Sequence, residues 1–355
     1  MTPAKGTYAV RGPWSAVFAF ALWATLAVGL PGAQAQGAPG AFARIGFGAR
    51  GIGAGNALAA ARGSASPYYN PAFAPMAERE NLTASAALLS FDRGLQYLQF
   101  GVPLEPRAGV AFGLTHASVS EIDGRDASGY RTQTLQTDTY QVFAAFGLRL
   151  AEGVSAGLAA KFYRADYGLD DVDPVDAVGF DLGISARATE RLALGLAASD
   201  LLAAFEWNTS GQYDDREGRL TTDRLPLRLR MGGAYRLLEG RARLLAEYEA
   251  RLSRREERTV VATTGPDGRP REETREETIT RRTDHLRLGA TYRPVEVLTL
   301  RAGLDRLIGA TMARPTAGFS VRQDIGRLPV SASYSAAFER GPGTTMHVFA
   351  LRLFL

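Results

Sequence analysis

Between Pro226 and Leu252 the chain alternates. Leu227, Leu229, Met231, Tyr235 and Leu237 take one set of positions and Arg228, Arg230 and Arg236 the other. After a break at Leu238-Glu239-Gly240, Ala242, Leu244, Ala246, Tyr248, Ala250 and Leu252 oppose Arg241, Arg243, Glu247, Glu249 and Arg251. A period of two means strands, because successive side chains on an extended backbone point to opposite faces. Comparable runs cover 82–91, 95–104, 108–119, 139–150, 154–166, 177–188, 192–207, 285–293, 298–307, 313–323, 329–339 and 346–355, giving about fourteen strands in all.

The connections add a second regularity. Those at 105–107, 151–153, 189–190, 238–240 and 294–296 are short, whereas 120–137, 208–225 and 253–284 read as long polar loops. Short turns at one end and longer loops at the other are the arrangement of a transmembrane barrel. A soluble sandwich alternates too, but has no reason to keep that parity, and an open sheet this wide would expose two long edges. The expectation is an all-β, transmembrane antiparallel β-barrel of about 14 strands, apolar towards lipid and polar towards its lumen.

The start of the chain places it. Lys5 and Arg11 precede an apolar run from Trp14 to Leu30, and Ala33-Gln34-Ala35 follows as a cleavage pattern. This reads as a secretory signal peptide cut after Ala35, being short of the ~20 residues a helical span needs. The expected organisation is therefore signal peptide 1–35, an N-terminal plug or hatch segment 36–80, and an outer-membrane barrel 81–355. No cysteine occurs, which excludes disulfides and a cysteine-linked lipid anchor. Glycine, at 39 of 355 residues, exceeds its usual ~7% and suits turns and small lumen positions. Forty-one bases against 37 acids leave a net +4 spread over many strands, so nothing points to nucleic acid.

Candidate chemistry is sparse. Gly46, Gly48 and Gly51 spell G-x-G-x-x-G, but no strand precedes them and no βαβ unit follows, so a dinucleotide site is rejected. His116, His285 and His347 are the three histidines, and alternation gives none of them a serine and acid partner; the expectation is a non-enzyme. Asp170, Asp171, Asp173 and Asp176 lack the ligand spacing of a calcium loop, so no metal or cofactor is expected. The inward positions carry charge: Arg149, Lys161, Asp181, Arg228, Arg230, Glu247, Glu249, Arg287, Arg301 and Asp305. Mixed charges inside a barrel should pair across strands, forming a network that fills and stiffens the lumen. In 253–284 acids and bases are near balance around a turn signal at Gly265-Pro266-Asp267-Gly268, which gives the flanking strands the means to continue beyond the membrane as a charged hairpin.

The stretch FARIGFGARGIGAGNALAAARGSASPYYNPAFAPM, with Asn70, Pro71 and Ala72 before the first strand, resembles the opening of the PorV/PorQ outer-membrane proteins, relatives of the FadL hydrophobic-compound transporters. Leu95-Gln96-Tyr97 and Ile122-Asp123-Gly124-Arg125-Asp126 resemble the same family. The resemblance implies a lumen plug before the barrel, a monomer in the outer membrane, and a barrel that assists secreted proteins or secretion components. Its FadL side implies instead the uptake of hydrophobic small molecules, with a ligand in the lumen, an apolar pocket between plug and wall, and a lateral opening at a kinked strand. The last strand, ending Phe354-Leu355, resembles the signal read by the barrel-assembly machinery, with Leu where Phe is usual.

Overall fold

The computed structural model describes residues 40–62, 66–169, 173–208, 220–264, 270–308, 313–339 and 344–355. The signal peptide and its cleavage site lie outside these residues, as do Asp170 and Asp171. Sixteen strands follow the N-terminal segment: β1 (Asn81–Leu89), β2 (Arg93–Leu104), β3 (Ala108–Arg125), β4 (Arg131–Ala151), β5 (Val154–Asp166), β6 (Val175–Arg187), β7 (Leu192–Leu201), β8 (Ala204–Asn208), β9 (Leu220–Arg224), β10 (Leu227–Leu237), β11 (Ala242–Thr264), β12 (Pro270–Val295), β13 (Leu298–Asp305), β14 (Arg314–Ile325), β15 (Leu328–Phe338) and β16 (Thr345–Phe354). All but β8 and β9 join one closed antiparallel barrel of 14 strands. Closure is made by β1 on β16, from Asn81 opposite Phe354 to Leu88 opposite His347.

The strands are inside out relative to a soluble sheet. On β6 Val178, Phe180, Leu182 and Ile184 are exposed, while Asp181 and Ser185 on the opposite face are buried. On β4, Tyr140, Val142, Phe146 and Leu148 face out, and Gln141 faces in with no exposure. Large apolar side chains left outside and polar ones taken inside are explained by a lipid surround. No helix among the described residues is long and apolar enough to cross a membrane. The β2–β3, β4–β5, β6–β7, β10–β11, β12–β13 and β14–β15 turns and both ends of the barrel chain share one end, termed basal here; the other connections, the short β1–β2 turn among them, share the outer end.

Three expected boundaries change. The stretch 120–137, expected as a loop, is mostly strand: β3 and β4 stay paired out to Arg125 opposite Arg131, across register shifts after Val119 and Asp123. Their turn is closed by Asp126 Oδ1, which accepts from the amides of Ser128 and Tyr130 at 2.9 Å each. In the same way β11 and β12 remain paired from Ala242 opposite Tyr292 to Thr264 opposite Pro270, so 253–284 is a continuous ladder up to its turn. Beyond the lipid neither face has to be apolar, so these extensions carry no hydrophobic alternation to betray them.

The run 192–207 is not one strand. Asp200 and Leu202 take left-handed backbone angles (φ 65° and 63°). There the chain leaves the wall, β8 pairs with β9 (Ala204 opposite Arg224), and β10 returns as the wall strand beside β7. The pairing of β6 with β7 carries a bulge at the same level, between Phe180 and Leu182.

If Leu182 faces hydrocarbon, Leu182→Arg should cost about 2–4 kcal/mol in equilibrium unfolding from lipid vesicles. The inward Ser185 hydroxyl is buried without a hydrogen-bond partner among the described residues, so Ser185→Ala should be neutral or slightly stabilising.

Candidate functional site

The lumen is occupied by residues 40–62 and 66–80. A short helix, α1 (Gly48–Gly53), lies against β13, β14, β15 and β16, and the 3-10 turn Pro71–Met76 lies against β2 to β6 on the other side. Small residues make this possible. A Cβ on Gly195 of β7 would stand 1.9 Å from the Ala59 carbonyl oxygen, and one on Gly157 of β5 would stand 2.4 Å from Pro71. The segment's backbone therefore runs in contact with bare wall, an approach that only glycine allows. Between the two, Phe47 stacks on Tyr97 (5.4 Å, 8° between planes) and meets Tyr68 edge-on (4.6 Å). These aromatic rings form part of an apolar core shared by segment and wall, with Ile52, Leu58, Phe143 and Val348.

Asn70 is the tightest anchor. Its side chain has no exposure. Its Nδ2 donates to the carbonyls of Ala59 (2.9 Å), Ile184 (3.2 Å) and Leu196 (3.3 Å), and its Oδ1 accepts from the Ala72 amide at 3.0 Å. One amide thus bonds the segment to itself and to both β6 and β7. Pro71 opens the 3-10 turn, where its missing N–H is no loss, and Ala72 is small enough to be wholly buried there.

Two ionic clusters line the outer part of the lumen. In the first, Lys161 Nζ lies 2.7 Å from Asp181 and 3.2 Å from Asp200, and Arg228 Nε lies 2.9 Å from Asp200. Tyr163 donates its hydroxyl to Asp200 at 2.6 Å. In the second, Arg287 reaches Glu247 (2.9 Å), Glu249 (3.1 Å) and Asp305 (2.9 Å). Arg251 pairs with Glu249, and Arg314 with Asp305. Both clusters also hold the segment. The Ala59 amide donates to Glu247 at 2.7 Å, Asn56 Nδ2 donates to Asp305 at 3.2 Å, and Arg228 donates to the Ala43 carbonyl at 3.4 Å. A buried ion pair is stable only when every partner is present, since the desolvation cost is already incurred.

The remaining inward charges fall elsewhere. Arg230 donates to Ser199 Oγ at 3.0 Å, Arg149 to the Pro75 carbonyl at 2.6 Å near the base, and Arg301 to Ser320 Oγ at 2.6 Å. None of these three joins an ion pair among the described residues, so the single network expected from alternation is two clusters plus outliers. Asp200 was not among the expected residues although it is the hub of the first cluster. Strict alternation points it outward, and the bulge turns it in. Arg314 was missed because it begins its strand. Of the histidines, only His285 needs its placement corrected. His116 does have an acid partner, Asp138 at 2.7 Å, and stacks on Tyr140. His285 does not begin a strand but sits buried within β12, opposite Glu249, while His347 faces out and meets Tyr334 Oη at 2.8 Å.

Two cavities open at the basal end. One, of about 930 Å³, is lined by Arg62, Arg149, Arg187, Arg236 and Glu152 among others. The other, of about 220 Å³, lies beside α1. Both have arginine-rich linings, unlike the apolar pocket that the transport expectation placed between segment and wall.

No protein-family model and no curated protein sequence matches this chain. Solved structures do. The Ralstonia pickettii toluene transporter TbuX aligns at TM-score 0.58 and 13% identity over 87% of this chain and 98% of its own. The Pseudomonas putida toluene transporter TodX aligns at 0.54 and 13% over 87% and 97%. A Pseudomonas aeruginosa FadL homologue aligns at 0.50 and 16% over 86% and 97%. At such identities the likeness is one of fold, and it extends over nearly the whole of each neighbour.

Two variants probe how the segment is held. Asn70→Ala removes three donated bonds and one accepted bond, and should raise hydrogen exchange at the amides of 54–75 with a local loss of about 1–3 kcal/mol. Asp200→Asn takes the ion-pair partner from Arg228 and leaves Lys161 with Asp181 alone, and should destabilise the barrel by about 3–5 kcal/mol, read by chemical denaturation in micelles.

Proposed function

We propose that this chain is a non-enzymatic, monomeric outer-membrane barrel through which small hydrophobic molecules cross, with residues 36–80 as its lumen plug and 1–35 as its signal peptide. The observation that carries the reading is an apolar nest at the outer end, set where the wall is interrupted. Tyr163, Val175 and Ala177 of β5 and β6 pack there with Ala203, Phe205 and Leu225 of the β8–β9 excursion, and Phe42 of the segment closes over them. These side chains are buried against one another, so a hydrophobic solute leaving water would enter by parting them, next to the bulge between β6 and β7. The fold shared with toluene transporters and a FadL homologue supports the same reading. Because the segment packs tightly on the wall below this level, the route leaves the lumen sideways at the bulge. The surrounding lipid and the barrel-assembly machinery are then the partners every such barrel has.

A second reading, a PorV/PorQ-type barrel that serves exported proteins, is favoured by the occupied lumen and by the β11–β12 ladder, which runs far past its neighbours. The two separate in one experiment. In cells lacking other uptake routes, the chain should raise the entry rate of a monoaromatic hydrocarbon, and Phe205→Arg should lower it about tenfold with the barrel still folded, the effect of losing more than one kilocalorie of apolar contact. Uptake equal to that of cells without the chain would sink the transport reading. Loss of co-extracted exported proteins on trimming the β11–β12 tip would establish the other.

A further inference from the structure

The lumen sorts its charges by height. Towards the outer end the two clusters pair bases with acids, Arg230 on Ser199 apart. At the basal end four bases meet no acid. Arg50 of α1, Arg301 of β13, Arg322 of β14 and Arg352 of β16 gather on one side, and among the described residues none of them is ion-paired. The charged groups facing Arg50 are Arg352, Arg301 and Arg322, all of its own sign. What they do bond to is neutral. Arg50 donates to Ser331 Oγ at 3.4 Å, Arg301 to Ser320 Oγ at 2.6 Å, and Arg352 to Thr83 Oγ1 at 2.8 Å, while Arg322 lies over the Phe354 ring at 4.9 Å.

This arrangement surrounds a space. Arg50, Arg301 and Arg322 line the cavity of about 220 Å³ together with Ser320, Ser331 and Phe354, and Arg241, Arg243 and Arg293 lie along it too; Arg352 is not part of its lining. Its one lining acid, Glu296, belongs to the exposed turn after β12 and pairs with none of the four. Burial, followed by the three like charges, draws the Arg50 guanidinium well below its ordinary value. A guanidinium does not give up its proton in a protein. The repulsion therefore persists until an anion relieves it.

The ligand's class follows from the donors. Each guanidinium has five N–H groups and spends only one of them or none on the bonds above, so most remain available. They come from α1 on one side and from three of four neighbouring strands on the other. A carboxylate offers two oxygens in one plane and suits a single fork, whereas a tetrahedral oxyanion presents oxygens in several directions at once. Four positive charges are also better balanced by a dianion. The cavity has room for such a group, being several times the ~30 Å³ share of one water.

We propose that this basal pocket binds a phosphate-class dianion, either free inorganic phosphate or the phosphomonoester head of an amphiphile, through Arg50, Arg301 and Arg322. The site stands independently of what crosses the barrel.

The test is titration calorimetry of the full-length protein in non-ionic micelles, with inorganic phosphate and a short-chain phosphatidic acid as separate probes. Saturable binding near one equivalent is expected, weakening with added salt. Arg301→Gln and Arg50→Gln should each weaken it about tenfold or more, as loss of a charged hydrogen bond does. Arg187→Gln, in the neighbouring basal cavity, should leave it unchanged. Retained heat-modifiable migration on gels confirms that each variant is folded. Binding of inorganic phosphate identifies the free ion as sufficient, and binding of the phosphatidic acid alone identifies a lipid source. Failure of both probes, or equal binding by wild type and both lumen variants, overturns the proposal.

Discussion

Hydrocarbon offers the backbone no hydrogen-bond partner, and the rest of this molecule is arranged around that fact. Every N–H and C=O in the wall must find its mate in a neighbouring strand, so the sheet has to return on itself, as β1 does on β16. Closure then fixes which way each side chain points. Leu182 is committed to lipid and Asp181 to the lumen by the same ladder, and neither can change sides without a bulge. Where the chain does need to change sides, at Asp200, it takes a left-handed turn and gives up wall pairing altogether. The loss is local because β10 takes over beside β7.

With lipid outside, the interior has to be filled by the chain itself. Two devices do this together. Glycines on the inward face let the segment's backbone approach the wall closely, as at Gly157 and Gly195, and balanced ionic clusters grip the segment by its amides and carbonyls, as Glu247 grips Ala59. Apolar packing around Phe47, Tyr68 and Tyr97 occupies the space between them. The interior is thus held by hydrogen bonds and charge pairs together with an apolar core shared by segment and wall.

The fold was legible in the sequence wherever the membrane imposes alternation. Leu227 to Leu237 and Ala242 to Leu252 could be assigned to faces residue by residue, and the parity of the connections implied closure. Outside the lipid that constraint lapses. The hairpin beyond Val119 read as a loop because neither face needs to be apolar there, and the ladder from Ser253 to Asp284 was signalled only by its turn residues and balanced charge. The lumen was half legible for a related reason. Lys161, Asp181, Arg228, Glu247, Glu249, Arg287 and Asp305 follow from parity alone and do meet their partners. Asp200 does not follow, since a one-residue bulge reverses parity after it. Arg50 lay hidden differently: it sits on a short helix in a glycine-rich stretch with no alternation, and nothing in that stretch tells which strands it will face.

The Asn70 amide joins Ala59 to carbonyls of β6 and β7, while on the far side Asn56 reaches Asp305 at the end of β13 and the Gly55 amide donates to Thr316 of β14 at 3.1 Å. One short stretch of early chain is therefore bonded to both halves of a wall whose seam is sealed only by its first and last strands. Pulling that stretch away would break bonds to β6, β7, β13 and β14 together, so it acts as a tie-bar across the cylinder: strain applied to one side of the wall is carried to the other through the chain at its centre.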